Sequence, residues 1–101
     1  MVKHIILWRL KEELQGEELE QVKQGIKEHL EGLQGQIPGL TEIRVNTVRL
    51  PSSKNADLML DSTFESAEAL KGYSVHPVHV AVADTYVRPF TAYRSCFDYE
   101  V

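Results

Sequence analysis

The chain has 101 residues, enough for one domain and no second. Hydrophobic residues make up 43% and charged residues 26%, a globular balance, and a net charge of −4 with no Lys/Arg cluster argues against nucleic acid or an anionic membrane as the main partner. The single cysteine, Cys96, excludes an internal disulfide and suits a reducing cytoplasm, and the longest apolar run near the start, Ile5 to Trp8, is too short for a signal segment or membrane span.

Val2 to Leu10 (VKHIILWRL) predicts a strand that is apolar on both faces. His4, Ile6, Trp8 and Leu10 share one face, and Ile5 and Leu7 the other. Such a strand must be covered on both sides. Glu17 to about Gln34 predicts a helix, with Leu19, Val22, Ile26, Leu30 and Leu33 at helical spacing and a charged opposite side; Gly35 and Pro38 supply the stop. Leu40 to Leu50 alternates as a half-exposed strand, Pro51 to Asn55 is a turn, and Ala56 to Phe64 is the return strand of a hairpin. Ser66 predicts the N-cap of a short helix reaching about Tyr73. Pro77 then opens a second helical piece carrying Val78, Val82 and Tyr86, which Pro89 ends, and Ala92 to Val101 is the last strand.

The order β-α-β-β-α-β predicts an α+β, ferredoxin-like domain spanning residues 1–101: a four-stranded antiparallel sheet with helices on one face. The helices leave one sheet face bare, and the reading assigns Ile6, Trp8 and Leu10 to it. A second copy packed sheet to sheet would bury them, so a homodimer is expected.

Several residues carry potential chemistry. A histidine such as His4, aimed into the space between two sheets, suits general-base work because an imidazole ordinarily titrates near pH 6.5; its bland counterpart is a buried histidine bonded to backbone. Tyr73 can hydrogen-bond a substrate carbonyl or simply pack its ring, and His79 can serve as a second acid/base group or bond locally. His76, before Pro77, reads as a structural helix-start residue. Metal is not expected, since His76 and His79 stand three apart with no further ligand at a regular spacing. Asp57 and Asp61 share a strand face but lie roughly 13 Å apart, too far to divide acid and base roles. Cys96 reads as a buried, inert thiol. Gly32, Gly35 and Gly39 have the wrong spacing for a phosphate loop.

Three stretches, VKHIILWRLK, LEGLQGQIPGLTEIRV and ADLMLDSTFESAEALKGYSVHPVHVAVAD, together with the terminal CFDYEV, resemble the stress-responsive α/β-barrel (Dabb) family over essentially the whole chain. The Tyr-x-x-His-Pro-x-His segment, here Tyr73 through His76-Pro77 to His79, with the upstream Phe64-Glu65-Ser66, is fairly specific to it. The resemblance implies a homodimeric barrel of two ferredoxin-like sheets, a link to stress response, and a small apolar or keto ligand held in the barrel cavity, with Ile6 and Trp8 in its wall. It implies no cofactor. In the olivetolic acid cyclase branch, a first-strand histidine and a tyrosine and histidine of the broken helix perform an aldol condensation. The matching positions are His4, Tyr73 and His79. The resemblance thus supports two functions: a stress-associated small-molecule-binding dimer, or a cofactor-free cyclase, aldolase or lyase. A monooxygenase on the same fold is a third option.

Overall fold

A computed structural model describes residues 1–101. The elements are β1 (Val2–Leu10), α1 (Gly16–Glu31), β2 (Leu40–Asn46), β3 (Leu58–Phe64), α2 (Ala67–Val75), α3 (Pro77–Val82) and β4 (Thr91–Glu100). Between α3 and β4 the chain passes through a π-type turn over Ala83–Val87 and a short 3₁₀ turn over Arg88–Phe90. The four strands form one sheet in the order β2-β3-β1-β4, with each neighbouring pair antiparallel. This is the predicted ferredoxin-like α+β arrangement. No helix is long and apolar enough to cross a membrane.

The apolar stripe of α1 lies on the sheet, where Ile26 and Leu30 join Leu33, Ile43, Val45, Leu58, Leu60 and Phe64 in one core. The α1–β2 connection closes through Gly39, whose φ of +81° favours glycine. A Cβ there would stand 2.5 Å from the Cβ of Ala69, so the glycine also lets α2 approach. Helix α1 stops at Glu31, short of Gln34, because the chain turns at Gly32 and continues in turns to Gly39. Strand β2 ends at Asn46, where its pairing with Met59 ends, and the following Val48 and Leu50 are exposed. Ser66 caps α2 as predicted, its hydroxyl accepting the Ala69 N–H at 3.1 Å.

The assignment of sheet faces is overturned. His4, Ile6, Trp8 and Leu10 are buried beneath the helices. The bare face carries Lys3, Ile5, Leu7 and Arg9 from β1, with Met59 from β3 and Tyr93, Phe97 and Tyr99 from β4 paired beside them. Period-two alternation separates two sets of residues but does not say which set the helices cover, and β1 is apolar on both. Tyr93 and Phe97 are 72% and 68% exposed.

Candidate functional site

The site is built by β1, β4 and the break between α2 and α3. Pro77 cannot donate a backbone hydrogen bond and fixes its own φ, so the helix stops and restarts there. His76, the residue before it, is extended (φ −65°, ψ 130°), and its Nδ1 accepts the Val78 N–H at 3.2 Å. His76 is structural, as the sequence suggested. The break leaves Tyr73 on one segment and His79 on the next, with their rings 4.0 Å apart and 30° from parallel. The π-type turn that follows places Ala83 and Val87 against the sheet, both buried.

A cavity of about 430 Å³ lies between this segment and the sheet. His4, Ile6, Trp8, Tyr73 and His79 all line it, together with Ser74, Thr91, Arg88 and Arg94. The structure therefore brings together all five residues singled out from the sequence. It does so inside one chain, under its own helices, and not in the space between two sheets, because the His4 face is the helix-covered one.

His4 is 6% exposed and held on three sides. Its carbonyl accepts the Ser62 hydroxyl at 2.8 Å, its ring meets Tyr73 edge-on at 6.2 Å, and its Nδ1–H donates to the Asp98 carboxylate. With Nδ1 carrying that proton, the neutral ring keeps its lone pair on Nε2. This is the tautomer a base requires. Asp98 was missed in the sequence. The signal was there: β1 and β4 pair antiparallel from the two chain ends, Val2 with Glu100, which sets His4 opposite Asp98.

Tyr73 is 2% exposed, and burial pushes its phenol pKa far above the usual value, so the hydroxyl stays a neutral donor. Burial also lowers the His79 pKa, which favours the uncharged ring. The Tyr73 hydroxyl is buried without a hydrogen-bond partner, whereas the His79 ring is supported by the backbone of Ser74 and Tyr73. A buried polar atom is rarely left so.

Cys96 is exposed on the edge strand β4, contrary to expectation. Its Sγ lies 3.4 Å from Asp98 and 3.6 Å from His4 Nδ1. Partial burial, then the Asp98 carboxylate, push the thiol pKa up, so Cys96 is a protonated neighbour and not a nucleophile. The His4, Cys96 and Asp98 ligand atoms lie within 4.8 Å of one another, a set with the chemistry to hold a metal that the sequence reading, confined to His76 and His79, overlooked. A hydrogen-bonded dyad with an adjacent thiol has the same geometry. Asp57 precedes β3 instead of sharing its face with Asp61: its Oδ2 accepts the Leu10 N–H at 2.8 Å, while Asp61 pairs with Lys3 at 2.6 Å.

Several solved structures share this fold. A dimeric protein of unknown function from Bacteroides fragilis is 32% identical, with 99% of this chain and 95% of that one covered at a TM-score of 0.89. A dimeric ferredoxin-like protein of unknown function from Jannaschia is 28% identical, covering 99% and 98% at 0.73. A hydroxynitrile lyase from Passiflora edulis is 20% identical, covering 97% and 90% at 0.73, a likeness of fold. No curated protein matches the chain. The stress responsive A/B barrel domain model matches residues 2–101, and the chain belongs to that family, the Dabb proteins.

Proposed function

We propose that the chain is a cofactor-free acid/base protein that binds a small carbonyl compound in its own cavity and moves a proton on it, working as a homodimer. The observation that carries this reading is the buried, partnerless Tyr73 hydroxyl at one cavity with His79 and the His4–Asp98 dyad. His4 Nε2 takes a proton from the carbon next to the carbonyl. The neutral Tyr73 hydroxyl donates to the carbonyl oxygen, where charge gathers as the enolate forms. The His4 ring, now protonated, returns a proton to the carbon, while His79, kept uncharged by burial, hydrogen-bonds the ligand beside Tyr73. A cyclase and an aldolase each need this first step, and a hydroxynitrile lyase is among the proteins of similar fold. The homodimer is supported by the exposed aromatic face and by the similar structures described as dimeric.

Deuterium uptake tests the chemistry. Acetophenone in D₂O, followed by proton NMR, loses its methyl signal faster in the presence of the protein. His4→Gln, confirmed as folded by circular dichroism, cuts that acceleration by about 10²-fold or more, the usual contribution of a positioned base. Acetophenone that binds the wild-type cavity without any accelerated exchange leaves a binding protein and removes the catalytic reading.

A further inference from the structure

The charge of the cavity differs in sign from that of the chain. The sequence carries 15 acidic residues and a net charge of −4. None of the acidic residues lines the cavity, whereas Arg88 and Arg94 both do. Arg88 is committed to Asp84 one helical turn away. Arg94 takes part in none of the chain's ion pairs. It stands opposite Trp8 in the β1–β4 register, so it shares the helix-covered face with His4, and Asp98, the acid nearest in that strand, is engaged by the His4 ring. The positive charge of Arg94 reaches Tyr73, and that of Arg88 reaches His79.

A guanidinium outside every ion pair, lining one cavity with the buried Tyr73 hydroxyl and His79, has a clear complement. Its planar donors match a carboxylate, and a partly enclosed, low-dielectric cavity strengthens that pairing. We infer that the ligand of this cavity is a small organic anion, a keto acid or aryl carboxylate, whose carboxylate rests on Arg94 at the mouth while its carbonyl reaches Tyr73 and His79 inside. The inference rests on the reading of this cavity as the working site.

The test compares 4-acetylbenzoate with its neutral counterpart 4-acetylbenzamide, titrated into ¹⁵N-labelled protein and followed by amide chemical shifts. The acid is expected to shift signals from Tyr73, His79 and Arg94 and to bind at least about tenfold more tightly than the amide. Arg94→Gln, at the exposed sheet edge, should bring the acid down to the level of the amide, and Arg94→Lys should keep part of the preference. Equal affinity of the two compounds within the cavity, or a preference that survives Arg94→Gln, overturns the anion assignment and leaves the proton-transfer site standing. Shifts confined to other surfaces, or no binding of either compound, overturn both.

Discussion

At the scale of single residues, the proposed chemistry turns on which nitrogen of His4 carries the proton. The Asp98 carboxylate can only accept, so it fixes the proton on Nδ1 and leaves the Nε2 lone pair unprotonated. An asparagine at 98 can turn its NH₂ toward the ring and favour the opposite tautomer. Asp98→Asn should therefore lower the ketone exchange rate about as severely as loss of His4 itself, by 10²-fold or more, while the fold survives because the position is exposed. An unchanged rate would show that Asp98 plays no part in orienting the base. His79 gives a pH prediction. Its pKa is lowered in the folded chain by burial, so above about pH 6.5 the ring is neutral in both folded and unfolded states and its contribution to stability is fully present. As the pH falls below about 6.5, the unfolded chain takes up the proton first and stability is lost. Urea midpoints measured from pH 8 to pH 5 should fall more steeply for the wild type than for His79→Gln; parallel curves would contradict the assignment. His4 and Tyr73 were legible in the sequence because residue type and strand or helix position suffice. Asp98, Arg88 and Arg94 were not, since each matters only through a partner distant in the chain.

At the scale of elements, the break in the second helical segment makes the cavity. An unbroken helix would carry Tyr73 and His79 in fixed register, six residues apart, and would lack the extended residue at 76 that separates α2 from α3. The stop and start signals, Ser66, His76-Pro77 and Pro89, could all be read from the chain, because each acts on its own neighbours. The π-type turn over Ala83–Val87 could not, since nothing in ADTYV distinguishes it from an ordinary helical turn. The cap at Ser66 fixes where α2 begins and hence where Tyr73 falls. Ser66→Ala should cost about 1 kcal/mol of stability, read from denaturant unfolding. A change well under this amount would mean that α2 is held by packing, through Ala69, Leu70 and Tyr73, and not by its cap.

At the scale of the whole molecule, two faces of one sheet have separate work. The helix-covered face builds the core and the cavity. The bare face carries Ile5, Leu7, Met59, Tyr93, Phe97 and Tyr99, and no helix of the chain covers it. Tyr93 and Phe97, at 72% and 68% exposed, supply most of the area this face has left to bury. The need for two covers was legible in VKHIILWRL, but the allocation of faces was not, because alternation is symmetric and only the packing of α1 breaks the tie. The consequence is functional. A ligand between the sheets would be shared by two chains, whereas a ligand under the helices belongs to one. Native mass spectrometry with saturating 4-acetylbenzoate reads both points at once. The expected species is a dimer that fills to two ligands. A monomer, or a dimer that saturates at one, would contradict a dimer in which each chain carries its own site.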